Sequence, residues 1–154
     1  MIRSPRPSTA RIVAFALLLT ATTATLPARA ADTSLALMVD GRPISKNPHV
    51  AVIHGGVPFV DLVDIVRTFN GLVVIGAGHV GASVGKHEAR FARGDATAMV
   101  DGTPVAMPAV AFSANGDLFV PLAFFLTELV PGASLRVDRA AGSANVHVPD
   151  RASP

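Results

Sequence analysis

The sequence predicts a mixed α+β fold built from two copies of one unit, each with short antiparallel β-hairpins and one amphipathic helix. Three observations predict it: a motif that recurs after about 60 residues, glycine-containing turn signals between short apolar runs, and two segments with a helical apolar period. A unit of about 60 residues buries little core, so we expect both copies to close one common core.

The first 30 residues are typical of a cleavable secretory signal peptide. Three arginines precede an apolar run at 12–26, and Ala28-Arg29-Ala30 supplies the small residues that signal peptidase reads. The run is about 15 residues, shorter than the ~20 of a membrane-spanning helix. We therefore expect cleavage after Ala30 and an extracytoplasmic mature protein, periplasmic or secreted, without a membrane anchor. An uncleaved anchor is the alternative.

Charge and cysteine content exclude several classes of protein. Cleavage would remove four of the thirteen basic residues and no acidic one, which leaves nine basic and eleven acidic residues. The pI of about 9.9 describes the precursor, so it does not indicate nucleic-acid binding. The chain contains no cysteine, which excludes disulfides, a thiol nucleophile and a cysteine-linked lipid anchor.

Two short motifs recur in the same order. Residues 38–44 match residues 99–105 at an offset of 61, and residues 59–62 match residues 119–122 at an offset of 60. Such a period indicates an internal repeat. We place its copies at about 35–90 and 95–148, within one domain at 31–149 that is followed by a tail at 150–154.

Each copy begins with a short strand that ends in Asp-Gly, a strong hairpin signal. A second hairpin follows, turning at His54-Gly55-Gly56 in the first copy and at Asn115-Gly116 in the second, where glycine allows a positive φ. The predicted strands are 35–39, 50–53 and 57–60 in the first copy, and 97–100, 110–112 and 118–120 in the second.

The apolar period then changes from two to 3.6, which predicts a one-sided helix of about 10 residues in each copy. The stripes are Leu62, Ile65, Val66 and Phe69, and Leu122, Phe125, Leu126 and Leu129. Asp61 is a candidate N-cap, Pro121 a candidate first helical residue, and Gly71 and Pro131-Gly132 are stop signals. Strands at 72–75 and 134–137 follow, each with a turn and a last short strand. We expect these apolar positions to form the core.

The order of these motifs resembles the copper amine oxidase N-terminal domain-like family, often called stalk domains. Val-Asp-Gly-x-Pro-Val precedes a hairpin, then Phe-Val-Pro-Leu opens a helix that ends in Pro-Gly-Ala, and the resemblance covers residues 35–148. It implies an α+β accessory or spacer module outside the cytoplasm. The chain departs from the family pattern at Ala123 and Val63, where arginine is usual, and at Asp61, which replaces the proline.

The resemblance does not imply amine oxidase activity. Copper amine oxidases use a quinone made from a tyrosine, in a separate catalytic domain, and this chain contains no tyrosine. No serine lies in a G-x-S-x-G context. We therefore predict a non-enzymatic protein with no catalytic residue and no cofactor. Because tryptophan is also absent, the usual stacking platforms for sugars and bases are missing.

Two features could indicate a small-ligand or metal site. Residues 76–81 match G-x-G-x-x-G after a strand, yet they align with a turn of the second copy, so we interpret them as a hairpin turn. The five histidines follow no established metal-binding spacing. His79, His87 and Glu88 are the candidates for metal ligands.

Phe124 corresponds to Asp64 of the first copy. An aromatic residue at this position predicts that the second helix buries a wider face. That face packs either inside the domain or against an envelope protein or a second molecule of this chain. The sequence as a whole favours an extracytoplasmic accessory or interaction module. The alternative is a small-ligand or metal-binding periplasmic protein that uses surface histidines.

Overall fold

A computed structural model of the protein describes residues 31–149, which form two β-sheets and two short α-helices. The α+β class is confirmed, with most of the regular structure in strands. The predicted leader and the tail at 150–154 lie outside the described residues. Neither helix of the described part is long and apolar enough to span a membrane.

Residues 31–149 contain thirteen strands and two helices. They are β1 (Thr33–Val39), β2 (Arg42–Pro43), β3 (Ala51–His54), β4 (Val57–Asp61), α1 (Leu62–Thr68), β5 (Leu72–Ile75), β6 (Val80–Val84), β7 (His87–Phe91), β8 (Thr97–Val100), β9 (Thr103–Ala106), β10 (Phe112–Ala114), β11 (Asp117–Pro121), α2 (Leu122–Leu129), β12 (Ser134–Asp138) and β13 (Ser143–His147).

The larger sheet has eight strands in the order β10-β11-β4-β3-β1-β13-β12, with β2 beside β1, and the smaller sheet runs β5-β6-β7-β8-β9. Strand β1 joins two parts of the larger sheet, because residues 33–35 pair with β3 while residues 36–39 pair with β13. The β1–β13 pair is parallel, and the other strand pairs of the described chain are antiparallel.

The predicted Asp-Gly turns are both present. Asp40 and Gly41, with φ of 49° and 75°, connect β1 to β2, while Asp101 and Gly102, with φ of 48° and 82°, connect β8 to β9. Two consecutive positive φ values give the tight turn that matches the twist of an antiparallel hairpin. Short polar residues and glycine adopt that conformation most easily, so these turns follow from local sequence.

Helix α1 begins where the sequence predicts and α2 begins one residue later than predicted, and both are shorter than expected, with seven and eight residues. Asp61 is the N-cap of α1: its carboxylate accepts hydrogen bonds from the N–H groups of Val63 at 2.8 Å and Asp64 at 3.3 Å. The assignment of Pro121 to the first helical position was wrong. Pro121 ends β11 opposite Phe59 and caps α2 with an extended ψ of 121°, because strand pairing continues up to the helix.

The predicted helical stripes form the centre of the core. Their members are 0–2% exposed, apart from Phe69, which is partly buried against the same cluster. Each helix contacts strands of both sheets, and one cluster combines residues from both halves of the chain. We therefore expect the two halves to unfold together.

Leu62→Ala and Leu126→Ala are each expected to lower the free energy of unfolding by about 2–4 kcal/mol, because each leaves a cavity in this shared core. Both variants should retain a single unfolding transition, since the core belongs to both halves. Circular dichroism and intrinsic phenylalanine absorbance, followed during thermal unfolding, test this. Two separate transitions would contradict the shared core.

Candidate functional site

Strand β5 exposes apolar side chains at the edge of the smaller sheet. Leu72, Val74 and Ile75 are 72%, 68% and 79% exposed, so the expectation that they belong to the core was wrong. Within the described residues β5 has a strand neighbour on one side only, β6. An apolar edge strand with one open side is typical of a place where another polypeptide packs.

Leu72 and Val74 lie on one face of the smaller sheet with residues of β6 and β7. Successive pairing places Leu72 opposite Ser83 and Ser83 opposite Glu88; Val74 is opposite Gly81 and Gly81 opposite Arg90. We call these six residues the outer face. Gly81 has no side chain, and the shallow groove along the outer face encloses about 290 Å³.

The charges of the outer face have opposite signs. Glu88 and Arg90 are both exposed, and the ion pairs found among residues 31–149 include neither of them. They stand two residues apart on β7, so their side chains point to the same side of the sheet. The outer face therefore combines an apolar edge with one carboxylate and one guanidinium.

A second depression, of about 310 Å³, lies between the β5–β6 turn and the β10–β11 hairpin. Leu62, Phe91 and Leu118 contribute apolar walls, and their side chains are buried. Its polar lining is His79, Arg93, Ser113 and Asp117. This cleft is large enough for a small molecule with both apolar and charged groups.

The sequence motif at 76–81 lies in a hairpin, as interpreted from the sequence: residues 76–79 form the turn between β5 and β6, and Val80 and Gly81 begin β6. The Gly76 N–H donates to the His79 carbonyl at 2.9 Å, and a strand follows where a dinucleotide site would need a helix. The exposed His79 ring lies against Gly76, because a Cβ added there would be 2.7 Å from ring atoms. His79 thus lines the cleft.

His87 and Glu88 both contact Asp101 in the turn between β8 and β9. The His87 Nδ1 lies 2.8 Å from the Asp101 carboxylate, which also accepts a hydrogen bond from the Glu88 N–H at 2.8 Å. The bond from Glu88, followed by that from His87, lowers the pKa of Asp101. Residues 31–149 contain no group of three or more histidine, aspartate or glutamate side chains that could hold a metal ion.

The other Asp-Gly turn has the same arrangement. Asp40 accepts a hydrogen bond from the Val148 N–H at 3.0 Å, and its carboxylate lies 3.1 Å from the His147 Nδ1. A third pair joins His54 to Asp32 at 2.6 Å. Sequence reasoning missed these pairs. The Asp-Gly motif was the available signal, but the histidines are brought to it by strand pairing.

Phe124 is packed inside the domain. It is 6% exposed, and its ring centroid lies 6.2 Å from that of the fully buried Phe91, with the rings nearly perpendicular at 79°. Of the two alternatives for this residue, the structure therefore agrees with internal packing. The contact between α2 and β7 explains the wider apolar face of the helix.

Among residues 31–149 the buried acidic residue is Asp61, directly before Leu62 of the cleft wall. It is 5% exposed; burial raises its pKa, the N–H bonds from Asp64 and Val63 oppose this, and the nearby Asp117 and Asp64 carboxylates raise it further. Its proton is therefore bound more tightly in the folded than in the unfolded chain, and the resulting stabilisation is lost as the pH rises through the raised pKa.

Asp61→Asn should retain the cap and remove this titration, since asparagine caps helices as well as aspartate does. The stability of the native protein relative to the variant is expected to fall as the pH rises from about 4 towards neutrality. Urea unfolding at several pH values measures the difference. A difference that stays constant or grows with pH would contradict the raised pKa.

Comparison with known proteins agrees with this architecture. The family model of the copper amine oxidase N-terminal domain matches residues 38–144, more than two thirds of the chain. No curated protein and no solved structure was found to match. The matched region begins in β1 and ends in β13, so it includes both helices and both sheets. The chain therefore belongs to the copper amine oxidase N-terminal domain family.

Proposed function

We propose that the protein is a non-enzymatic accessory module that acts outside the cytoplasm and binds another protein through its outer face and the open edge of β5. The observation that carries this proposal is the exposure of Leu72, Val74 and Ile75, which at 68–79% are the most exposed large apolar side chains of residues 31–149. The family is consistent with an accessory, non-catalytic role. The signal-peptide pattern of residues 1–30 supports export.

We also propose that the domain consists of two copies of one ancestral unit. Equivalent residues support this: Val60 lies directly opposite Val120 in the β4–β11 pair, as expected near a local twofold axis. The two Asp-Gly turns, held by His147 and His87, are a second support. The halves differ in strand number, with seven strands in the first and six in the second.

Two measurements test the proposed function. The mass of the protein isolated from its native host should correspond to a chain that begins at Ala31, and a cytoplasmic species that retains Met1 would contradict export. Photo-crosslinking from position 75 of β5, where the Ile75 side chain is 79% exposed, should then give a discrete product with a second polypeptide in intact cells.

Leu72→Ser combined with Val74→Ser should remove that crosslinked product, because it makes the outer face polar without disturbing the core. Val110→Ser is the matched control, since Val110 is also apolar and 47% exposed but belongs to the loop between β9 and β10. A product that survives the double substitution, or that Val110→Ser also removes, would contradict binding through β5.

Small-ligand binding is the second candidate function, and the cleft beside His79 favours it. Arg93 and Asp117 line the cleft, and neither takes part in the ion pairs found in residues 31–149. Amide NMR of the mature protein, titrated with leucine, Zn²⁺ and Cu²⁺ separately, tests it. Saturable shifts confined to residues around the cleft would support this candidate, and their absence with all three probes would oppose it.

A further inference from the structure

We infer that the partner of the outer face is a second copy of this chain, stacked face to face about a twofold axis. This inference rests on the proposed function and names its partner. The outer face has two rows, Leu72-Ser83-Glu88 and Val74-Gly81-Arg90. The axis lies between the outer faces of the two molecules and runs parallel to the line of residues that separates the rows, Val73, Ala82 and Ala89. Closed twofold dimers of this kind use one self-complementary patch.

The strand register supplies the self-complementarity. Rotation about this axis exchanges the two rows, so that each residue of one row meets the residue of the other row on the same strand. The resulting contacts between copies are Leu72 with Val74, Ser83 with Gly81, and Glu88 with Arg90, each occurring twice. Apolar groups thus meet apolar groups, the small residues face each other, and carboxylate meets guanidinium.

Charge explains why a second copy fits this face. Glu88 and Arg90 are exposed side chains without an ion-pair partner in the described part of the chain. Each supplies the charge that the other requires, so one copy provides both halves of two interfacial ion pairs. The groove above Gly81 allows the Ser83 side chain of the second copy to approach.

The contact involves three strands and few side chains, which places it at the small end of specific interfaces. We therefore expect a reversible, concentration-dependent dimer. Sedimentation velocity of the mature protein should show a monomer that converts to a dimer as its concentration rises. The dimer should weaken as salt is added, because the ion pairs lie at the surface.

Charge reversal tests the geometry. Glu88→Arg alone and Arg90→Glu alone each replace both interfacial ion pairs by pairs of like charge. Each should therefore raise the Kd of the dimer roughly tenfold to a hundredfold. The double variant Glu88→Arg/Arg90→Glu should restore it. Mixing the two single variants should also restore dimers, because every ion pair is then re-formed between unlike copies.

Lys46→Glu is the control for the change of net charge, since Lys46 is an exposed basic residue in the loop after β2. It should leave the dimer unchanged, and all variants should keep the melting temperature of the native protein. A protein that stays monomeric, or a dimer indifferent to single reversals, would overturn the inference. If the protein stays monomeric but its β5 crosslink is lost in Leu72→Ser/Val74→Ser, the inferred self-association is wrong. The proposed binding of a different protein through β5 is then still supported.

Discussion

Phe124→Asp is expected to lower the free energy of unfolding by about 5 kcal/mol or more, which approaches the whole stability of an ordinary domain. Two effects add: the lost contact with the ring of Phe91, and the burial of a carboxylate at a position that is 6% exposed. The variant should be largely unfolded at room temperature, as seen by circular dichroism and by rapid proteolysis.

Thr127→Asp provides the control for this variant. It introduces the same charge into the same helix at an exposed position, so its cost should be below about 1 kcal/mol. Phe124→Leu should fall between the two, because it retains an apolar group but loses the aromatic contact. If Phe124→Asp keeps the native melting temperature, the internal packing of Phe124 is refuted.

Gly71→Ala is expected to destabilise the protein by about 4 kcal/mol, more than most substitutions that overfill a core. A Cβ at this position would lie 2.2 Å from the Ser83 carbonyl oxygen and 2.7 Å from a methyl group of Val66. The carbonyl belongs to β6, and Val66 is fully buried in α1. Neither neighbour can move without shifting the helix away from the sheet.

Gly81→Ala is the matched comparison for Gly71→Ala. Its Cβ would lie 3.6 Å or more from its nearest neighbours, which is ordinary van der Waals contact, so its effect on stability should stay within about 1 kcal/mol. Urea unfolding of both variants measures the contrast. Equal effects at the two glycines would show that chain flexibility, rather than the close approach at Gly71, decides the cost.

Local sequence was sufficient to predict the two Asp-Gly turns and the start of α1. Asp40-Gly41 and Asp101-Gly102 adopt the positive φ values that such pairs favour, and Asp61 caps α1 as its position before an apolar stripe predicts. These features depend on atoms within a few residues. Pro121 was misassigned because β11 continues to the helix, and that pairing involves a strand 60 residues away.

Most of the candidate site could not be predicted from the sequence. The run at Leu72–Ile75 reads as a buried strand, since four successive apolar residues carry no sign of an exposed side. Three of its four side chains are exposed, because β5 is an edge strand and Leu72 and Val74 lie on the outer face of the smaller sheet, away from the core. The outer face is likewise created by register, which sets residues from three strands side by side.

The sequence by itself determined the family, the α+β class, the turn positions and the two core stripes of this protein, because each follows from local backbone preferences and from the period of apolar residues. The tertiary structure alone decided which apolar residues remain in solvent, that Phe124 packs on Phe91, and that His87 and His147 hold the two Asp-Gly turns. These outcomes depend on which strands become neighbours. Apolar periodicity predicts that a side chain is buried but not which residues it packs against.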